Sequence, residues 1–305
     1  GEVVRAQGAY IHNLEPFWDH YWKNGENDKL GWRLEYNMKH RGDVYATHGL
    51  GPVAQALDIH RGDRMKTLVA MDTKSVVGKS LVEERTGQPC ENFRNGDHTT
   101  TLIRTENGKV IEIQHDVMTP QPYNRLYQLT GTKGFANKYP IAGYALDAKQ
   151  LNASGVAPEV DNLNSHSFMP KKDMEALVQK YQHPILKKYG EMAKEVGGHG
   201  GMDFIMDSRL VYCLQNELPL DMDVYDLAEW CCLAELGELS MDNNCAAVAF
   251  PDFTRGEWNK VKGYKHAYAS PEDESVAMEK AKKITAKLKE KGAVEWAGEA
   301  VENKK

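Results

Sequence analysis

The stretch Thr99–Val117, TTTLIRTENGKVIEIQHDV, predicts a β-hairpin and with it the class of the fold. Its two strand-like runs, residues 99–105 and 109–117, are joined near Asn107-Gly108. Asn-Gly accepts the positive φ angles of a tight hairpin turn, so we expect the two runs to pair as antiparallel strands.

Further strand-like segments lie on both sides of this hairpin. We expect strands at residues 2–12, 64–73 and 123–130, which together give a largely antiparallel sheet of about five or six strands. Residues 15–22 are rich in aromatic side chains and are expected to form a short helix or an ordered loop.

Helical patterns dominate the second half of the chain. One early helix is expected at about 51–60, with Pro52 in the first turn, where the missing N–H costs nothing. Later helices are expected at 171–195 (interrupted near Pro184), 202–216 and 223–236, with a peripheral, charged amphipathic helix at about 271–291. Strands followed by helices without strict alternation predict an α+β fold, an open mixed sheet with helices on one face, as a single domain over 1–305.

Composition and charge exclude several classes of protein. Hydrophobic residues make up 41% of the 305 residues, and the net charge of −6 provides no basic surface for nucleic acid or an anionic membrane. No apolar run approaches the roughly 20 residues of a membrane-spanning helix. Five cysteines, an odd number, predict buried reduced thiols rather than a disulfide framework, and no Cys/His spacing predicts a metal site.

The sequence also lacks the signature of a dinucleotide-binding domain. Such a domain needs GxGxxG directly after a buried strand and opening a helix, and neither glycine cluster, 48–52 or 197–201, has that context. A strand beginning at residue 2, behind Gly1, suggests that sequence upstream has been removed, although a genuine compact start is an alternative.

The octet Tyr45-Ala46-Thr47-His48-Gly49-Leu50-Gly51-Pro52 is the strongest candidate for a site. A tyrosine and a histidine three residues apart at the entry to a helix can converge on one ligand, and histidine exchanges protons near neutral pH. Arg33 offers a planar fork of donors to a sugar or acyl oxygen. The alternative is that His48 caps the helix while Tyr45 packs.

This octet resembles the signature of glycoside hydrolase family 109, within the glucose-fructose oxidoreductase-like (Gfo/Idh/MocA) superfamily. Similar features are the opening strand 1–10, Arg33 twelve residues before Tyr45, residues 120–123 running into 131–134, and residues 198–204. The resemblance extends over most of residues 1–260.

The resemblance implies a retaining α-N-acetylgalactosaminidase that keeps a bound NAD. In such enzymes the cofactor oxidises the sugar at carbon 3, the glycosidic group leaves by elimination, water adds back and the hydride returns. This chain would be the substrate-binding and dimerisation half, expected to form a homodimer, without the Rossmann domain that holds most of the NAD. The compartment, exported or cytoplasmic, is left open.

Site residues follow from the same resemblance. Tyr45, Thr47 and His48 resemble the sugar-contacting segment, with Tyr45 and His48 the candidates for proton transfer. Arg33 resembles a sugar-binding arginine.

Three further positions have alternatives. Tyr123 resembles a later active-site tyrosine, with Tyr127 as the alternative, and Tyr10 resembles a substrate contact, with His12 competing. His199, in a glycine-rich segment, is either a pocket residue or part of a tight turn between helices.

Two other functions remain open at this point. One is a sugar oxidoreductase of the same superfamily, which would release its reduced cofactor. The other is a non-catalytic sugar-binding or dimerisation module.

Overall fold

The computed structural model describes residues 1–14, 32–147, 149–150, 155, 166–260 and 262. The segment 15–22, expected to form a short helix or an ordered loop, and the helix expected at about 271–291 lie outside the described residues. The chain divides into two compact units, residues 1–180 with 224–263 and residues 181–223 with 264–305. The single domain expected over 1–305 stays a prediction.

All the described strands belong to the first unit. They are β1 (Val3–Ile11), β2 (Met65–Asp72), β3 (Thr99–Thr105), β4 (Val110–Asp116), β5 (Asn124–Gly131), β6 (Gly134–Asn137), β7 (Gly143–Leu146) and β8 (Val248–Ala249).

The α-helices are distributed over both units. They are α1 (Trp32–Lys39), α2 (Thr47–Ala56), α3 (Val77–Thr86), α4 (Lys171–Tyr181), α5 (Pro184–Val196), α6 (Met202–Gln215) and α7 (Val224–Asp242).

The eight strands form one open sheet in the order β7-β6-β5-β1-β4-β3-β2-β8. The strands β1 and β4 run parallel, and all other neighbours are antiparallel. The predicted fold class, an open mixed sheet with mostly antiparallel pairing, is confirmed. The expected five or six strands were too few because β6, β7 and β8 contain only four, four and two residues, too short for alternation to be visible.

Helices α2 and α7 cover one face of the sheet. Leu50 and Val53 of α2 and Leu233 of α7 pack with Leu68 and Ile113 of the strands in the main hydrophobic core. The other face carries a polar group centred on Glu112, which accepts hydrogen bonds from Arg5, Gln7 and Gln114. Arg5 also donates to Gln7, and Leu102 on the same face is half exposed. The face that carries apolar side chains is therefore the face under the helices, as expected for a two-layer fold.

Helix α2 begins four residues earlier than its expected start at about residue 51. Pro52 consequently lies inside the helix rather than in its first turn. A proline has no N–H, so it leaves the carbonyl of the residue four positions earlier, His48, without its intrahelical donor. The hydroxyl of Tyr127 donates to that carbonyl oxygen over 2.7 Å instead, which explains how the helix tolerates the proline.

The cysteines differ from one another in their exposure. All five cysteines are free, Cys90 and Cys213 are buried as expected, and Cys231 is exposed, so the prediction of buried thiols was wrong there. Cys231 lies on the outer side of α7, away from the face that packs on the sheet. Among the described helices, none is long and apolar enough to cross a membrane.

Candidate functional site

A cluster of tyrosine and histidine rings lies at the carboxyl end of β1. Tyr10 is 6% exposed, and its ring centroid lies 5.1 Å from that of Tyr45 and 4.8 Å from that of His48. Tyr45 and His48 lie 4.7 Å apart. Together with His12 and Tyr123, these residues are named the tyrosine–histidine cluster.

Two glycines bring the helix and the strand close enough to form this cluster. A Cβ atom on Gly8 would lie 2.0 Å from the carbonyl oxygen of Gly49, so no side chain fits at residue 8. Glycine permits this approach of backbone to backbone. Because Gly49 follows His48 directly, the contact holds the first turn of α2 over β1 and places the His48 ring beside Tyr10.

His12 connects the two sides of the cluster. Its Nδ1 lies 3.0 Å from the hydroxyl oxygen of Tyr10, and its ring meets that of Tyr123 edge-on at 5.0 Å. Burial lowers the pKa of His12, and the positive charges of Arg125 and Arg33 lower it further. A neutral imidazole has one nitrogen that accepts a hydrogen bond, so His12 can orient the Tyr10 hydroxyl near neutral pH.

Arg33 of α1 approaches the cluster from the side of Tyr45. Its guanidinium carbon lies 4.8 Å from the centroid of the Tyr45 ring and 5.0 Å from that of Trp32. Stacking of this kind fixes the plane of the guanidinium and so the direction of its donors. A cavity of about 30 Å³ lined by Tyr10, Arg33 and Tyr45, among others, suits a water molecule rather than a sugar ring.

Two buried titratable groups, His115 and Asp43, lie next to residues of the tyrosine–histidine cluster. His115 of β4 lies opposite Tyr10 in the parallel register, and burial lowers its pKa to about 4. Burial raises the pKa of Asp43 to about 7, and its Oδ1 accepts the backbone N–H of Tyr45 over 3.2 Å. His115 is therefore neutral at neutral pH, while Asp43 titrates there and holds the backbone of Tyr45.

The structure brings together five of the seven predicted site residues: Tyr10, Arg33, Tyr45, His48 and Tyr123. Thr47 is the first residue of α2 and is partly buried. The alternative role of His48 as a helix cap is wrong, because the cap position is Ala46 and carries no side-chain hydrogen bond.

His199 lies in the second unit, in a short 3-10 helix between α5 and α6. Its Nδ1 is 2.9 Å from Oδ2 of Asp203, and 73% of its side chain is exposed. This geometry matches a tight turn between helices. Its role as a pocket residue stays a prediction.

Sequence reasoning missed three residues that the fold places at or beside the cluster. His115 and Asp43 are buried, and Arg125 lies close enough to lower the pKa of His12. Arg125 stands between Tyr123 and Tyr127, both already considered, and this spacing was the available signal. No local pattern distinguishes His115, because its position depends on the parallel pairing of β1 with β4.

Neither glycine cluster of the described residues has the context of a phosphate-binding loop. The glycines at 49 and 51 lie within α2, and those at 197–201 follow a helix, whereas a phosphate-binding loop joins a strand to a helix. Within the described ranges, no three His, Cys, Asp or Glu side chains converge to hold a metal ion.

The chain matches a family model described as "Glycosyl hydrolase 109, C-terminal domain" over residues 1–260. Glycosyl hydrolase family 109 protein 5 of Phocaeicola vulgatus is 85% identical over 305 residues, which are 100% of this chain and 59% of that protein. Glycosyl hydrolase family 109 protein 1 of Bacteroides thetaiotaomicron is 61% identical over 269 residues, 88% of this chain and 56% of that protein. The chain thus spans somewhat more than half the length of these relatives.

Solved structures support the fold. An oxidoreductase domain protein from Kribbella flavida superposes with a TM-score of 0.50 at 14% identity, covering 83% of this chain and 59% of the other. At this level of identity the similarity concerns the architecture alone.

Proposed function

The chain belongs to glycosyl hydrolase family 109, and on this premise we propose that it is the substrate-binding part of a retaining, NAD-dependent α-N-acetylgalactosaminidase. The observation that carries the proposal is the packing of Tyr10, Tyr45 and His48 within 5.1 Å of one another beside Arg33. Aromatic rings that are fixed in this way present hydroxyl and imidazole groups to a ligand at defined positions.

The family mechanism divides the work between cofactor and protein. NAD, when bound, supplies reversible removal of a hydride from the sugar. The residues of this chain bind the sugar and move protons: His48 and Tyr45 are the proton-transfer groups, Arg33 donates to sugar oxygens, and Tyr10, held by His12, is a further contact. Thr47 and Tyr123 complete the proposed contacts with a glycan that bears N-acetylgalactosamine.

The proposed activity also involves the part of the relatives that lies outside the match. We infer that this part, which is 41% of the Phocaeicola vulgatus protein (100% minus the 59% that is covered), holds most of the NAD. Micromolar affinity for NAD, measured by calorimetry on this chain alone, contradicts this part of the proposal.

The test of the activity joins this chain to that unmatched part of the Phocaeicola vulgatus relative. The fusion is expected to hydrolyse 4-nitrophenyl α-N-acetylgalactosaminide while NAD stays bound and no NADH accumulates. Accumulation of NADH with the sugar as substrate favours the oxidoreductase alternative. Sugar binding without turnover of either kind favours a non-catalytic module.

We also propose that the uncovered face of the sheet forms a homodimer. Leu102 and Met71, which are 49% and 61% exposed, lie on the neighbouring strands β3 and β2, and Leu102 is opposite Glu112 of β4. A two-fold contact pairs such a surface with itself. Sedimentation of a dimer that Leu102→Lys dissociates supports the proposal, and a monomer at high micromolar concentration contradicts it.

A further inference from the structure

Two positive charges lie among tyrosines next to the tyrosine–histidine cluster. Nη1 of Arg125 is 3.4 Å from the hydroxyl oxygen of Tyr127, and its guanidinium carbon is 5.4 Å from the ring centroid of Tyr123. Nζ of Lys138 is 5.8 Å from the Tyr127 ring and 5.5 Å from the Tyr139 ring. Both cations therefore contact the same residue, Tyr127, from β5 and from the end of β6.

Arg125 and Lys138 differ in their partners from the arginines that form ion pairs within the chain. Among the described residues, no carboxylate forms an ion pair with Arg125 or Lys138. Arg41, Arg61 and Arg209, by contrast, each pair with an aspartate at 2.7–2.9 Å. A partly buried guanidinium is usually paired, because removing it from water without a partner is costly.

The tyrosine rings around Arg125 compensate the positive charge of its guanidinium only in part. The Nε–H of Arg125 is buried and has no hydrogen-bond acceptor. The faces of Tyr123, Tyr127 and Tyr139 attract cations, but they cannot accept the fork of donors that a guanidinium presents to an oxyanion.

The backbone beneath Arg125 is also irregular. The pairing of β1 with β5 changes register on both sides of Gly8, and Leu126 and Tyr127 have φ angles of 56° and 53°. Non-glycine residues in this left-handed region are strained, and such strain persists where the surrounding structure fixes a side-chain position. Here it turns β5 so that Tyr127 reaches the His48 carbonyl.

We propose that Arg125 and Lys138, with Tyr123, Tyr127 and Tyr139, form a subsite for an oxyanion, a sulfate or carboxylate group carried by the glycan. The subsite adjoins the proposed sugar site, because His12 meets Tyr123 edge-on and lies within the field of Arg125. That the anion is part of a glycan rests on the proposed function, whereas the binding of the oxyanion itself does not. The preferred substrate is thus an acidic glycan.

The first arm of the test measures catalysis by the fusion described above. It compares kcat/KM for 4-nitrophenyl α-N-acetylgalactosaminide with kcat/KM for a monosulfated and a carboxylated derivative of it. We expect at least one acidic derivative to be favoured about tenfold, the scale of one hydrogen-bonded charge pair. Arg125→Gln and Lys138→Met should each remove most of that preference, and Arg125→Lys, which keeps the charge, should retain part of it. The derivative that shows the preference identifies the source of the anion.

A matched control and a second arm keep the result interpretable. Arg104→Gln removes an exposed arginine from β3 of the same sheet and should leave the preference unchanged.

In the second arm, calorimetry follows binding of sodium sulfate to the fusion at constant ionic strength, with sodium chloride as reference. Sulfate binding that is weakened by Arg125→Gln supports the subsite even if no glycoside is hydrolysed, in which case the proposed function alone fails. Hydrolysis of the neutral glycoside without any acidic preference, or no sulfate binding by the folded fusion, overturns the subsite.

Discussion

Two histidines in the first unit, the buried His60 and the half-buried His12, have opposite electrostatic surroundings. His60 lies between two carboxylates, in contact with Glu229 and 3.8 Å from Asp226, which also accepts two hydrogen bonds of 2.8 Å from Arg61. The positive charges of Arg125 and Arg33 act on His12, and its Nδ1 lies 3.0 Å from the hydroxyl oxygen of Tyr10. The first group, named the carboxylate-paired cluster, balances its charges within the chain, as a structural ion-pair network does. The second presents positive charge and aromatic hydroxyls, which is the composition of a surface that binds a ligand rich in oxygen.

The comparison predicts that substitutions in the two regions affect different measurements. A residue of the carboxylate-paired cluster should affect stability and leave turnover of the folded protein intact. A residue of the tyrosine–histidine cluster should show the reverse.

The largest effect is expected from Arg61→Met. It leaves Asp226, which is 1% exposed, without its bidentate partner, and an uncompensated buried charge costs about 3–5 kcal/mol. Urea unfolding of the chain measures the loss. Arg94→Met is the matched control, because the side chains of Arg94 and its partner Asp242 are 46% and 43% exposed and the loss should cost about 1 kcal/mol or less. Equal losses in the two variants contradict the assignment.

The next effect concerns pH. The pKa of His115 is about 4 in the folded protein, below its ordinary value of 6.5, because the ring is buried. The stability it contributes is complete above pH 6.5 and is lost as the pH falls through about 4, a change of about 3 kcal/mol. The free energy of unfolding should therefore fall less steeply between these values in His115→Gln than in the wild type. Asp43 titrates in both proteins, so its contribution cancels from the difference between their unfolding free energies. Identical dependence of the unfolding free energy on pH in the two proteins contradicts a buried, neutral His115.

His48→Ala tests the catalytic side of the comparison. In the fusion, turnover should fall about a hundredfold or more, equivalent to about 2.7 kcal/mol, since loss of a proton-transfer group acts in the transition state. NAD should remain bound, and substrate affinity should change less than turnover. Melting temperature is measured on the same preparation, with Arg61→Met as the variant expected to lower only that quantity. A loss of turnover that tracks unfolding removes His48 from the site.

The smallest effect is expected from Tyr127→Phe. The change removes the donor to the His48 carbonyl, which Pro52 cannot replace, and should cost about 1 kcal/mol of unfolding free energy. The Pro52→Ala background is the control: it supplies the missing N–H, so the cost of Tyr127→Phe should shrink there. A cost that is the same in both backgrounds rules out this explanation of the hydrogen bond.

Local patterns were sufficient for most of the elements. The strand at 99–105 alternates between buried and more exposed residues throughout, the strand at 110–116 does so as far as residue 115, and the break at Pro184 separates α4 from α5 as expected. They failed for the start of α2, where proline was assigned to the first turn. The interior proline is tolerated because Tyr127, 79 residues away, replaces the missing hydrogen bond.

By itself the sequence determined the strands of the hairpin at 99–117, through alternation and turn chemistry. It also indicated the family, through the resemblance of the octet at 45–52 and of further short segments. All of these features are local. The tertiary structure alone decided which of the candidate residues meet. The parallel pairing of β1 with β4 sets His115 opposite Tyr10, the approach of Gly8 to Gly49 brings His48 over β1, and the irregular β5 places Arg125 beside His12. Such contacts join residues far apart in the chain, so they follow from the packing of whole elements, which no short stretch of sequence encodes.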